Sequence, residues 1–265
     1  MRTLFLFLLL PCLSFAQPFP KQVLTAAQDS IVARYATRGA ERVSYLTPQW
    51  QQQLDEGLAQ DSTIAMLWQM KAMPLFKTRK YEAGMNCLDR AVRYDSSWLP
   101  YRAFIKTIFS KQYRSALQDL GLCRQRLGND YVMDHPFDIY RALCYLQLNE
   151  FADALPLLQA QVADDDAHNR PHHLRLFYLG IAYLETGDIP HALKAFDRAI
   201  ARYPQFSDAY FYKGKCLGLL GKQAEGLAIV RAGKTHFEKG YSINEDNSFY
   251  ELYPYQVAWR WNAVK

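Results

Sequence analysis

The chain has 265 residues, of which 50% are hydrophobic and 22% charged; that is enough apolar material for a packed core and excludes a disordered chain. Its 31 basic and 26 acidic residues leave a small positive excess, with the two signs interspersed. Such a surface lacks the basic stripe that nucleic acid requires.

Arg2 is followed by the unbroken apolar run Leu4 to Leu10 and then by Ser14-Phe15-Ala16, the order of a secretory signal ending before Gln17. A membrane span needs about 20 apolar residues, and Pro11 interrupts a run already too short. Lipidation of Cys12 is the weaker reading, because the preceding residue is Pro11 rather than a small one. The expected product is exported, periplasmic or secreted, with no integral membrane segment, and the compact signal suits a bacterium.

Residues 17–64 read as an N-terminal helical cap. Leu24, Ala27, Ile31 and Tyr35 share one side of a helix from about Gln22 to Tyr35. Thr47-Pro48 then has the form of an N-cap followed by proline at the first helical position, and Trp50, Leu54 and Gly57 mark the helix that follows.

From Ala65 onward one design recurs. Trp68, Ala72, Tyr81, Gly84, Leu88 and Ala91 form a first unit; Phe104, Tyr113, Ala116, Leu120 and Cys123 a second; Ala142, Tyr145, Asn149, Ala154 and Leu158 a third. The fourth is the most regular, with Leu176, Leu179, Gly180 and Tyr183 on one helix, a break at Gly187-Asp188, then Ala192, Phe196 and Ala199 before Pro204. Gly214, Gly221, Gly226, Val230 and Gly233 repeat it. Small residues such as Gly180 and Ala192 let paired helices cross closely. Pro74 and Pro156 fall inside expected helices, which each should kink or shorten. The middle units are spaced by 38 rather than 34 residues, so longer turns are expected there.

These residues resemble the tetratricopeptide repeat, a helix-turn-helix module of about 34 residues. The resemblance covers 65–240 and is strongest from His173 to Phe206. It implies an all-α fold: an α-solenoid of about five such repeats, with N-terminal capping helices and an aromatic C-terminal tail over 241–265. It also implies a non-enzymatic scaffold or adaptor that holds a protein or peptide on the concave face lined by the first helices. Positions facing inward by that resemblance include Tyr101, Ile105 and Phe109, then Ile139, Leu143 and Leu146, then Leu174, Phe177, Ile181 and Leu184. Lys77 and Lys215 are the inward cations, too few for the family's basic carboxylate clamp, so an apolar groove is expected. The alternative, that curvature buries these side chains within the fold, stays open.

The tail contains Tyr241, Phe249, Tyr250, Tyr253, Tyr255, Trp259 and Trp261, more aromatic surface than a solubilising end cap needs. Phe249, Leu252, Tyr253, Val257 and Trp261 nearly share a helical face, which Pro254 interrupts. Tyr253, Trp259 and Trp261 are its expected contact residues, either folded back on the last repeat or the groove, or presented to a partner.

Chemistry has one candidate location. Asp164, Asp165, Asp166, His168, His172 and His173 in the 164–173 insert carry metal-ligand atoms, which defines a metal-loop enzyme or enzyme accessory as an alternative function. Their spacing matches no zinc motif, and a solvated interhelical loop is the expectation. No nucleophile elbow, phosphate loop or dinucleotide fingerprint occurs, so no catalytic residue, metal or cofactor is assigned. Cys87, Cys123, Cys144 and Cys216 are expected as buried thiols, with Cys123 and Cys144 the pair best placed for a disulfide. A purely structural envelope component, with no groove ligand, is the remaining alternative.

Overall fold

The computed structural model describes residues 18–259; the signal segment 1–16 and Trp261 lie outside the described residues. The first helix, α1 (Ala26–Val32), begins at a capping box: Thr25 Oγ1 accepts from the Gln28 amide and Gln28 Oε1 accepts from the Thr25 amide. It continues as a π-helical turn over Ala33–Thr37. Its start is later than the expected Gln22 because Gln22 serves another helix. The Gln22 amide donates to the Thr63 carbonyl at 2.8 Å and accepts from the Ala65 amide at 2.9 Å.

Helix α2 (Pro48–Gln60) starts where the Thr47-Pro48 pair predicts, with Thr47 extended at φ −90° and ψ 151°. Five antiparallel hairpins follow. They are α3 (Ala65–Lys77) with α4 (Tyr81–Tyr94), α5 (Leu99–Ile108) with α6 (Tyr113–Leu127), α7 (Phe137–Gln147) with α8 (Phe151–Ala167), α9 (His173–Glu185) with α10 (Ile189–Arg202), and α11 (Ser207–Leu219) with α12 (Gln223–Glu238). Each helix packs on the next in sequence, so the fold is an all-α solenoid with one continuous core.

One backbone device closes every hairpin. Arg79, Lys111, Asn149, Gly187 and Gly221 all have positive φ, between 54° and 83°. The residue after each donates its amide back into the preceding helix, as Lys80 does to Leu75 and Asp188 to Tyr183, both at 2.8 Å. Glycine suits this left-handed position, and it announces the turn only in the last two units.

Close helix contact also rests on glycine. A Cβ at Gly180 would stand 2.6 Å from the Phe196 ring, and one at Gly226 would stand 2.6 Å from the Gly214 carbonyl oxygen. The Phe196 ring thus fills the notch that Gly180 leaves, and Ala192 is fully buried.

Neither internal proline ends its helix. Pro74 lacks the N–H that would bond the Met70 carbonyl, and the Trp50 indole supplies the missing donor at 3.1 Å; Gln51 Nε2 also donates to the neighbouring Lys71 carbonyl at 3.1 Å. Helix α3 thus runs to Lys77, and α8 runs through Pro156 to Ala167.

The extra length of the middle units has two sources. Between α6 and α7, β1 (Tyr131–Val132) pairs antiparallel with β2 (His135–Pro136), turning at Met133 with φ 51°. Downstream, Asp164–Ala167 form the last turn of α8, where a loop was expected. Burial explains this: Asp165 sits inside the fold and accepts from Arg175 at 2.6 Å, fixing the turn to α9.

Candidate functional site

Beyond α12 the tail leaves through Gly240, at φ 88°, and lies across the first helices of the hairpins. Its route is an out-and-back loop pinned at both ends by one carboxylate. Asp208, fully buried in the first turn of α11, accepts from the Ile243 amide at 3.0 Å, from Ser242 Oγ at 2.9 Å and from the Val257 amide at 2.7 Å. Burial raises its pKa, while those tail donors oppose the rise.

On the outward leg, Asn244 Oδ1 meets His173 Nε2 at 2.9 Å, and Glu245 Oε2 lies 3.3 Å from His135 Nε2. A short 3-10 turn over Asp246–Phe249 then carries the chain to the N-terminal units. There the Tyr250 and Tyr45 hydroxyls are 3.2 Å apart, and the Lys77 ammonium lies over both rings, at 4.6 and 4.7 Å.

The return leg is held by side chains that grip its main chain. Lys111 Nζ donates to the Leu252 carbonyl at 2.6 Å and pairs with Glu251, which also accepts from the Tyr81 hydroxyl. The Tyr178 hydroxyl, fully buried, donates to the Pro254 carbonyl at 3.1 Å. Tyr255 donates to the Leu146 carbonyl at 3.4 Å, its ring beside Tyr212. Trp259 then stacks on Phe237 and meets the edge of Phe211. Burial pushes the Tyr81 phenol up to about 12, with Glu251 adding to the effect.

Of the sequence-derived groove positions, Ile105, Phe109, Ile139, Leu143, Leu146, Leu174, Phe177, Ile181 and Leu184 are buried, and Tyr101 is half-buried between Trp98 and Phe104. They divide by what covers them. The Leu146 carbonyl meets Tyr255 of the tail, whereas Phe177 packs on Phe196 of α10 and on Phe206 and Tyr212 of the next unit, inside the core between repeats. Of the expected tail contacts, Tyr253 is buried and Trp259 packs as above. Phe249 and Leu252 point outward, so the expected helical face of the tail does not form.

Sequence reasoning missed Asp208, Tyr178, Lys111, Tyr81 and His135. Asp208 has the one local signal, an acid with a neighbouring serine in the first turn of a helix, and that pattern is common to ordinary helix starts.

The 164–173 acids do not converge. Asp164 meets His168, Asp165 meets Arg175 and Asp166 meets Arg198, while His172 and His173 turn toward the tail. Among the described residues no group of three or more His, Cys, Asp or Glu side chains is placed to hold a metal ion, and the four later cysteines are free and buried.

The tetratricopeptide-repeat family model matches residues 177–235, the span from mid-α9 into α12. Over that span the chain carries the tetratricopeptide repeat. The solenoid extends the same hairpin upstream of that match, and similar folds occur in solved structures of low sequence identity. A tetratricopeptide repeat protein from Parabacteroides merdae ATCC 43184 aligns with TM-score 0.64 at 13% identity, covering 80% of this chain and 80% of that one. PilW, described as a widely conserved type IV pilus biogenesis factor, aligns with TM-score 0.61 at 11% identity, covering 82% of this chain and 99% of PilW. MamA from Desulfovibrio magneticus RS-1 aligns with TM-score 0.55 at 15% identity, covering 66% of this chain and 96% of MamA. At these identities the likeness is one of fold. No curated protein matches the chain in sequence.

Proposed function

We propose that this chain is an exported, non-enzymatic scaffold of the bacterial cell envelope that binds a protein or peptide on the inner face of its repeats, the face its own tail now covers. The seating of the tail carries this reading. Lys111 of the α5–α6 turn, Tyr178 of α9 and Asp208 of α11 hold main-chain atoms of the tail. A surface that grips carbonyls and amides of an extended segment suits peptide recognition, in which main-chain bonds give affinity and pockets give selectivity. Export is supported by the apolar run Leu4 to Leu10 and its small-residue exit. No helix among the described residues is long and apolar enough to cross a membrane.

The test compares partner capture by three full-length chains in the native envelope: wild type, Lys111→Ala with Tyr178→Phe to loosen the tail, and Tyr101→Glu to spoil the face. Loosening should raise recovery of one protein and Tyr101→Glu should remove it. Equal recovery by all three would place binding elsewhere.

A further inference from the structure

Two stretches far apart in sequence bring exposed apolar side chains together at the N-terminal edge of the solenoid. Leu46, beside Tyr45, is 62% exposed, and Phe249, beside Tyr250, is 87% exposed. The Tyr45 and Tyr250 hydroxyls stand 3.2 Å apart, so both apolar side chains flank one junction, and Val43 and Leu252 are exposed in the same two stretches. The Phe249 ring meets the edge of Tyr250 at 5.3 Å and otherwise stands in water. It is not needed to seat the tail, because the chain there is already fixed by the 3-10 turn over Asp246–Phe249 and by Tyr250.

The same edge is basic. The turn between α3 and α4, Lys77-Thr78-Arg79-Lys80, carries cations at three of its four positions and no acid. Lys77 lies over the Tyr45 and Tyr250 rings, Lys80 lines a depression with Tyr45, Leu46 and Pro48, and Arg79 is exposed beside it. The exposed acids of the adjoining stretches are Glu41, Glu82 and Asp246, with Arg38 and Arg42 set against them. Glu251, which follows Tyr250, pairs with Lys111 and accepts from Tyr81, so its charge is met within the fold.

We infer that this edge is a lipid-docking surface: Phe249 and Leu46 enter the interfacial region of an anionic bilayer while Arg79 and Lys80 meet its headgroups. Lipid docking here does not depend on what the inner face holds.

The shape favours a bilayer over a folded partner. A protein covering these side chains would need a matched hollow for each, because the core of an interface packs as densely as a protein interior. The fluid boundary between headgroups and acyl chains closes around single projecting rings without such a match, and binding there grows with buried apolar area and with attraction to anionic lipid. Each cation that comes close to an anionic leaflet adds about fivefold in affinity. Apolar and charged contributions are therefore separable by lipid composition.

Vesicle flotation of the full chain at low ionic strength tests the surface, using vesicles of phosphatidylcholine with about a quarter phosphatidylglycerol and vesicles of phosphatidylcholine alone. Wild type should float with the anionic vesicles and bind the neutral ones about 30-fold more weakly. Phe249→Ser should lower affinity for the anionic vesicles about tenfold, and Leu46→Ser about fivefold. Arg79→Gln with Lys80→Gln should lower it about 30-fold and leave binding to neutral vesicles unchanged. Leu219→Ser, in the exposed apolar group of the last hairpin, should bind as wild type does. These positions are all exposed, circular dichroism checks that each variant folds, and Leu46→Ser leaves the tail's own sequence intact. Absence of wild-type binding to anionic vesicles, or binding that Phe249→Ser and Leu46→Ser leave unchanged, would overturn the lipid surface. Equal affinity for both vesicles would overturn its anionic character, and equal loss from Leu219→Ser would reduce it to non-specific adsorption. Loss of an envelope protein's recovery with Phe249→Ser, while vesicles stay unbound, would give the edge to a protein partner instead.

Discussion

Asp208→Ala is the most informative single change. The carboxylate accepts two amide bonds and one hydroxyl bond from tail residues separated by the whole loop, so its removal unpins both legs together. Hydrogen bonds to a charged group contribute about 1.5 to 3 kcal/mol each, and two of the three donors are main-chain amides that cannot turn away. Against this stands the cost of holding a carboxylate in the interior, which the raised pKa records and which the first turn of α11 partly offsets. Subtracting that cost leaves a net loss of about 3 kcal/mol in tail docking. Asp208→Asn removes the charge, keeps one acceptor and should lose about half as much. Native hydrogen exchange reads the change at the Ile243 and Val257 amides, where about 3 kcal/mol is a protection loss of more than a hundredfold. If Asp208→Ala leaves both amides as protected as wild type, the tail is held by its other contacts and the two-leg pin is wrong.

Three other outcomes follow from the packing. Gly226→Ala drives a methyl toward the Gly214 carbonyl and should destabilise the α11–α12 hairpin by about 1 to 3 kcal/mol in denaturant titration, whereas Gly221→Ala, which meets no neighbouring atom, should pay only for its positive φ, about 1 kcal/mol. Trp50→Phe leaves the Met70 carbonyl without its indole donor beside Pro74 and should lower stability by about 1 to 3 kcal/mol, and a neutral result would mean that α3 tolerates the proline unaided. Cys123 and Cys144, both pushed up to about 12 mainly by burial, should resist a thiol reagent in the native protein and react only on unfolding; rapid native labelling would contradict their placement.

The parts of this fold that depend on neighbours in sequence were legible. Thr47-Pro48 marked the start of α2, and Gly187 and Gly221 marked two hairpin turns, because proline and glycine carry their backbone preference wherever they stand. The same turn built on Arg79 and Lys111 gave no such signal, since those residues rarely enter the left-handed region, and Asn149, which tolerates it better, is also common outside turns. Apolar periodicity identified the first helices but could not separate a groove from the seam between repeats, and Phe177 belongs to the seam. The tail's course depends on contacts as distant in sequence as Tyr45 with Tyr250, which no local pattern encodes.

The account stands most directly on where the tip of the tail loop lies. Leu46 and Phe249 are exposed neighbours of Tyr45 and Tyr250, and the described cysteines are buried, so spin labels can be placed on Leu46→Cys and Phe249→Cys in the full chain. Electron paramagnetic resonance should return one short, narrow distance near neutral pH. A broad distribution centred at long range would show that the tail does not cross the inner face.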